Sequence, residues 1–215
     1  MIITIDGPSA SGKSTIAQLV AQNNGMYYIN SGFLYRAYAY VMNQNPGTTS
    51  EEFLRFISYK YHSFPQVLWH NVEITHYLKT PEIDRLASQL SGLHEVRPLI
   101  TQLQRNLADQ YDVVIDGRDC GTVVFPNAEV KFYLTASLEV RAQRWQHMQL
   151  RHGHIITYQE AINLISERDL RDSTRNIAPL TKPQDAIAID SSELTIEEVC
   201  AIMQKHIDLK LQRKS

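Results

Sequence analysis

Cysteine is scarce in this chain: 215 residues contain only Cys120 and Cys200. The two form neither a CxxC motif nor a paired framework, so their spacing indicates neither a zinc site nor a disulfide scaffold. Cys120 stands beside a candidate active-site loop and reads as a small buried thiol. An excess of charge of one sign is also lacking. Lys and Arg number 21 against 23 Asp and Glu, a net charge of −2. That balance argues against broad, sequence-independent binding of nucleic acid, which needs spare positive charge to neutralise phosphates. No run approaches the ~18 apolar residues that would span a bilayer. The opening Met1-Ile-Ile-Thr-Ile-Asp6 lacks the charged start and long apolar stretch of a secretory leader and reads as a buried strand. A cytoplasmic protein with reduced cysteines is the expectation. Internal repeats and low-complexity segments are missing too. With 43% hydrophobic and 20% charged residues, the composition is that of one ordinary globular domain rather than a disordered chain.

Short apolar runs alternate with stretches of helical period, the pattern of an α/β protein with a mainly parallel sheet. Strands are expected at 2–5, 26–29, 111–115, 130–134 and 186–189. A helix should follow the first strand, with Ile16, Leu19 and Val20 inward and Asn23-Asn24-Gly25 as its stop. Another is expected over 33–43, capped by Ser31. Val96, Leu99, Ile100, Leu103 and Leu107 fall at helical spacing and should lie against the sheet. Further helices are expected over 138–151, broken by Arg151-His152-Gly153-His154, over 158–174, and after the capping box Thr195-Ile-Glu-Glu198. From about 45 to 80 the texture changes. Pro46-Gly47 breaks the chain and 51–58 has the pattern of a short helix. Val67-Leu68-Trp69 and Val72-Glu73-Ile74 flank His70-Asn71 as a hairpin without the favoured Asn-Gly turn. This stretch reads as a small subdomain inserted between core elements, with its aromatic residues as its own core.

Gly7-Pro8-Ser9-Ala10-Ser11-Gly12-Lys13-Ser14 matches G-x-x-x-x-G-K-[ST] at every fixed position, after an apolar strand and at the start of an amphipathic helix. Glycines let consecutive N–H groups turn inward onto phosphate oxygens, and the positive end of the helix adds to that field. Lys13 would bridge β- and γ-phosphates of ATP, and the Ser14 hydroxyl would bind Mg²⁺. Residues 7–14 together with Thr15 are therefore the expected ATP-binding set. Asp112-Val-Val-Ile-Asp116 supplies an acidic residue at a strand end, a second candidate metal ligand; alone, a turn-forming Asp116 before Gly117 is an equal reading.

Acceptors of the phosphoryl group differ in what they demand. A hydroxyl needs a base, whereas a monophosphate, largely dianionic at neutral pH, needs positive charge to bring two anions together. Arg36, Arg118, Arg168, Arg171 and Arg175 offer that charge. Arg168, Asp172 and Arg175 share one helical face, which is either a phosphate-clamping set or a solvated stripe of paired charges. Guanidinium groups suit phosphate oxygens through bidentate contacts. Arg141 and Arg144 are equally open between ATP contact and ordinary surface charge. A small-metabolite kinase with Asp119 as base, and a nucleotide-binding regulator without turnover, remain as alternatives.

The segments Ile3-Thr-Ile-Asp-Gly-Pro-Ser-Ala-Ser-Gly-Lys-Ser-Thr15, Ser31-Gly-Phe-Leu-Tyr-Arg36, Asp116-Gly-Arg-Asp-Cys-Gly-Thr-Val-Val-Phe-Pro126 and Arg168-Asp-Leu-Arg-Asp-Ser-Thr-Arg-Asn-Ile-Ala-Pro-Leu180 resemble those of bacterial cytidylate kinases, and the resemblance covers nearly the whole chain. It implies a P-loop fold with a five-stranded parallel sheet flanked by helices, an acceptor-binding region around 31–100, and a lid near 144–158, all within one domain over 1–215. It implies transfer from ATP to CMP and dCMP with Mg²⁺ held at Ser14 and Asp116, by a monomer that needs neither nucleic acid nor membrane. Lys13, Arg36, Arg118 and Arg175 would carry catalysis. Ser31, Arg36, Arg118 and Arg175 would hold the acceptor phosphate region, Arg168 and Asp172 the sugar, and Ser88, Arg97 and Asp119 the cytosine. A carboxylate is the natural acceptor for the cytosine amino group, and Arg97 and Ser88 offer donors to its N3 and O2. The chain departs from the family pattern at Asn30, where Asp is usual, at Phe33-Leu34, and at Trp145, where a second consecutive arginine is common.

Overall fold

A computed structural model describes residues 1–151 and 153–212. The expected break at Arg151-His152-Gly153-His154, the lid at 144–158 and the domain end at 215 therefore lie partly outside the described residues. Five apolar strands form the central sheet: β1 (Ile2–Asp6), β2 (Tyr27–Asn30), β6 (Val113–Gly117), β7 (Val130–Thr135) and β8 (Ile187–Asp190). Their order is β2-β6-β1-β7-β8 and every pairing is parallel. Ile3, Ile5, Val113, Val114, Ile115, Phe132 and Leu134 are buried, the near-continuous apolar runs of a sheet covered on both faces. Register brings the polar strand ends level: Asn30 beside Asp116, Asp116 beside Ile5, and Asp6 beside both Gly117 and Tyr133. Ligands of open α/β sheets bind at this edge.

Helices α1 (Lys13–Asn23), α2 (Ser31–Gln44), α5 (Val96–Ala108) and α8 (Ile196–Gln212) pack on that core. The inward face of α1 is Ile16, Ala17, Val20 and Ala21, while Leu19 is only half-buried; two alanines, not the expected leucine, let the helix approach the sheet. Gly25, with φ 62°, ends the turn after α1. The cap of α2 is Asn30 rather than Ser31. The Asn30 side chain accepts from Phe33 N at 2.9 Å, and Ser31 instead donates to Asp116 O at 2.6 Å. Thr195 and Glu198 close the expected capping box before α8.

The stretch after α2 holds α3 (Ser50–Phe56) and a separate antiparallel sheet of β3 (Ile57–Tyr61), β4 (Pro65–Trp69) and β5 (Val72–Glu73). The expected helix over 51–58 runs too far. Ile57-Ser-Tyr-Lys-Tyr61 buries alternate side chains, a period-two pattern that the preceding helix obscures. His70 and Asn71 both have positive φ, 47° and 64°, which matches the right-handed twist of a tight hairpin even without glycine. Trp69 is half-buried against Phe53, Phe56 and His70, but Phe53, Tyr59 and Tyr61 join the core of the main sheet instead of forming one of their own, and Phe64 is exposed. A 3₁₀ turn, Thr75–Lys79, leads to α4 (Pro81–Leu90), which packs on α2. Finally α6 (Leu138–Arg151) and α7 (Tyr158–Thr174) form a pair around Ala142, Ala161 and Ile165. Thr157 and Glu160 make a capping box at the start of α7 that the chain pattern left unnoticed.

Candidate active site

The loop between β1 and α1 is shaped by backbone that few residues tolerate. A side chain at Gly7 would place its Cβ 2.0 Å from Leu134 O, so only glycine lets the loop pass this close to β7. Gly12 caps α1 in the left-handed region, φ 92°. Lys13 folds back into the loop, donating to Pro8 O at 2.5 Å and Ser11 Oγ at 3.2 Å. Burial, helped by Arg118, pushes the Lys13 ammonium well below the usual lysine range. An arriving polyphosphate would favour its charged form. Ser14 Oγ donates to Asp116 Oδ2 at 2.8 Å, and Tyr28 OH donates to Asp116 Oδ1 at 2.7 Å. Asn30 Nδ2 reaches Ser14 Oγ at 3.3 Å and Tyr28 OH at 2.9 Å. Ser14 and Asp116 thus present two hard oxygen donors side by side, the type that Mg²⁺ prefers.

The loop is also held from behind. Ser9 N donates to Asp169 Oδ1 at 2.8 Å. Arg141 Nη1 donates to Ser9 O at 3.1 Å and pairs with Asp169, while Arg144 donates to Ser191 O at 2.7 Å and Ser11 O at 3.4 Å. Neither arginine is ordinary surface charge. Asp6, fully buried, accepts from the amides of Cys120 at 2.9 Å and Gly121 at 2.7 Å, fixing the turn that carries Arg118 and Asp119. Burial raises the Asp6 carboxyl to about 6, against the pull of those two amides. Cys120 is itself buried, its thiol pushed up by desolvation.

Opposite the loop, arginines from four elements converge in carboxylate pairs. Arg36 of α2 donates to Asp84 Oδ1 at 3.1 Å, and Arg168 of α7 donates to Asp84 Oδ2 at 2.6 Å. Arg118 donates to Asp172 at 2.9 Å and to Ser9 Oγ at 3.2 Å, linking α7 to the phosphate loop. Asp119 is buried between Arg97 of α5 and Arg175, the latter at 3.2 Å. Arg97 and Arg175 also reach Ser91, at 2.9 Å to its carbonyl and 3.3 Å to its hydroxyl. Ser88 accepts from Arg171 at 2.8 Å. The shared face of α7 is therefore no solvated stripe: Arg168, Asp172 and Arg175 all point to partners on other elements, and Asp172 is 4% exposed. Burial works to raise the Asp172 carboxyl, but Arg118, Arg168 and Arg175 outweigh it and hold it below the usual range.

A family model for cytidylate kinase matches residues 3–209. The chain belongs to the cytidylate kinase family. Curated relatives include the cytidylate kinases of Carboxydothermus hydrogenoformans, 38% identical with 98% of each chain covered, and of Caldicellulosiruptor saccharolyticus, 40% identical with 96% of this chain and 94% of that one covered. Among solved structures, the shikimate kinase of Bacteroides thetaiotaomicron has a TM-score of 0.51 at 14% identity, covering 97% of this chain and 98% of that one. An uncharacterized protein from Eubacterium ventriosum reaches 0.53 at 14% identity with the same coverage. Those two likenesses speak for the P-loop kinase fold. Family membership makes this chain an ATP-dependent kinase.

Within this cytidylate kinase framework the departures find local reasons. Asn30 caps α2. Phe33 lies 4.8 Å under the Arg36 guanidinium, and Leu34 is buried. Trp145 packs beside the α6–α7 cluster. Several participants were not legible beforehand, among them Tyr28, Asp84, Ser91, Asp169, Arg171 in its contact with Ser88, and Ser191. Asp169 and Arg171 sit inside the motif at 168–175, so its density of charge was a usable signal. Asp84 and Ser191 carried none.

Proposed function

We propose that the protein transfers the γ-phosphoryl group of ATP to CMP and dCMP, forming ADP and CDP or dCDP in pyrimidine nucleotide metabolism. Supporting this reading above all is the buried Asp119 carboxylate, with both oxygens engaged by Arg97 and Arg175. Burial raises this carboxyl on balance despite Arg97 and Arg175. With both oxygens committed to the two arginines, however, it is not free to take a proton from a hydroxyl, and its remaining lone pairs suit the cytosine amino group. Uracil would present a carbonyl there, a repulsive contact costing about 1–3 kcal/mol. A monophosphate acceptor needs no proton removed, so direct in-line transfer requires only alignment and charge neutralisation.

Lys13 and the loop amides of residues 7–14, with Thr15 beside them, hold the donor phosphates. Arg36, Arg118 and Arg175, with Ser31, clamp the acceptor phosphate. Arg168 and Asp172 take the sugar, and Ser88, Arg97 and Asp119 the base. Mg²⁺, for which the Ser14 and Asp116 oxygens fit, supplies charge neutralisation on the donor phosphates when bound. Residues 31–100 form the monophosphate-binding region, and a lid at 144–158 excludes water to suppress ATP hydrolysis. The enzyme acts as a cytoplasmic monomer on small molecules; among the described residues no helix is long and apolar enough to cross a membrane. The test is ADP release from MgATP with CMP, dCMP, UMP, AMP, GMP and cytidine. Turnover with CMP and dCMP far above the rest is expected. Strong activity with cytidine would move the protein to the hydroxyl-acceptor class.

A further inference from the structure

Asp84 has no place in the clamp described above, yet it joins two of the acceptor-site arginines, as Asp119 joins Arg97 and Arg175. It lies on α4, one turn before Ser88, and faces α2 on one side and α7 on the other. Its two oxygens are divided, Oδ1 to Arg36 Nη1 and Oδ2 to Arg168 Nη1. Among the described residues both guanidiniums are gripped at Nη1 alone. That leaves the Nε–Nη2 edge of each, the edge that pairs bidentately with phosphate or carboxylate oxygens. Nε of Arg36 and Nε of Arg168 are buried and have no hydrogen-bond partner among the described residues. Two buried donors left open on neighbouring arginines are rare in a folded protein and call for an acceptor from outside.

We propose that Asp84 is a positioning residue for the acceptor: it holds Arg36 and Arg168 together by their Nη1 atoms and so turns their open edges to the acceptor's phosphate and sugar oxygens. The inference rests on the monophosphate-kinase reading above. Without a carboxylate between them, two like charges would repel. Burial disfavours the Arg36 charge and Arg168 works against it; Asp84 offsets part of that, leaving the group below the usual arginine range. Asp84 itself stays ionised: burial raises its carboxyl, but Arg168 and Arg36 outweigh burial and leave it below the usual range. One turn further along both helices, Ser88 accepts from Arg171. The contact of α4 with α7 is thus two-point, and Asp84 supplies its charged point. Asp84 touches neither the phosphate loop nor Lys13, so its removal should leave ATP handling alone.

Steady-state kinetics of the full chain test this, with CMP and ATP varied in turn, for the unaltered protein, Asp84→Asn, Asp84→Glu, Arg168→Lys and the Asp84→Asn/Arg168→Lys double variant. Asparagine keeps the shape and removes the charge. Asp84→Asn is expected to raise KM for CMP about tenfold or more, with KM for ATP within about twofold, while the melting temperature falls because Arg36 and Arg168 lose their shared partner. The split between the two KM values is the deciding readout. Asp84→Glu should recover part of that loss. In the Arg168→Lys background, where the bidentate edge is already gone, the Asp84→Asn penalty should shrink. A lower KM for CMP in Asp84→Asn would mean that the carboxylate competes with the acceptor, and would overturn the proposal. So would an unchanged KM, or a parallel rise for CMP and ATP, the mark of a merely structural residue. Failure of the unaltered protein to use any monophosphate would sink the functional reading first and this inference with it, and the wild-type arm identifies that case.

Discussion

The donor end and the acceptor end of this site are built on opposite principles. The donor end is eight consecutive residues, Gly7 to Ser14, whose grip is mostly backbone and whose shape is enforced by the close pass of Gly7 over Leu134. The acceptor end draws Arg36, Asp84, Arg97, Arg118, Asp119 and α7 from parts of the chain more than a hundred residues apart. Its guanidiniums are held by carboxylates before any substrate arrives. A backbone site tolerates side-chain change except where the path needs glycine, at Gly7 and Gly12, and where side chains act, at Lys13 and Ser14. A network of part-buried ion pairs does not, because removing one partner strands the other's charge away from water.

The sharpest way to break that comparison is a pair of truncations. Lys13→Ala should lower turnover by on the order of a thousandfold or more and weaken ATP binding with it, since the same ammonium serves ground state and transfer. Arg36→Ala should lower turnover by orders of magnitude while leaving ATP affinity, read by calorimetry, nearly intact. Equal loss of ATP binding in both variants would show that the two ends are one unit.

A second prediction sharpens the acceptor end itself. Asp119→Asn exchanges a pure acceptor for a group that also donates, so the preference for CMP over UMP should fall by about 10- to 100-fold. The ratio of kcat/KM values is the right readout, because any loss of folded protein from the unpaired Arg97 and Arg175 cancels in it. An unchanged ratio would remove Asp119 from base recognition.

The same contrast explains what could be read from the chain alone. The donor loop, the apolar strands of the sheet and helices such as Leu138–Arg151 and Tyr158–Thr174 are local patterns, and local patterns are visible in a sequence. Strand β3 was hidden because Ile57 and Ser58 continue a helical period for two residues past Phe56. Asp84 was hidden for a different reason. Its meaning is its position between two arginines 48 and 84 residues away, a tertiary fact with no spacing signature. Asn30 shows a third kind of miss, in which either of two adjacent polar residues could cap α2 and only the demand of Asp116 O for a donor decides between them.

Asp6 offers the smallest effect and the one that joins the two ends, since it leaves β1 just before the phosphate loop and anchors the turn bearing Arg118 and Asp119. Its carboxyl titrates near 6 in the fold, against 3.8 as the ordinary value. A raised acid binds its proton more readily folded than unfolded, so between those two values the folded state holds more protons and stability falls as pH rises. From pH 5 to 7 the linkage amounts to about 1 kcal/mol, or roughly 3 °C in melting temperature for a chain of this size. The carboxyls of Asp84 and Asp172 are depressed, so their contributions are already complete above the ordinary carboxylate value and do not change in this window. Asp6→Asn removes the titration. Melting curves of both proteins at pH 5 and 7, without added nucleotide, should therefore show the unaltered protein losing ground relative to Asp6→Asn as pH rises. Parallel behaviour across that window would mean that the two backbone amides hold Asp6 ionised throughout, and that they, more than burial, set its charge.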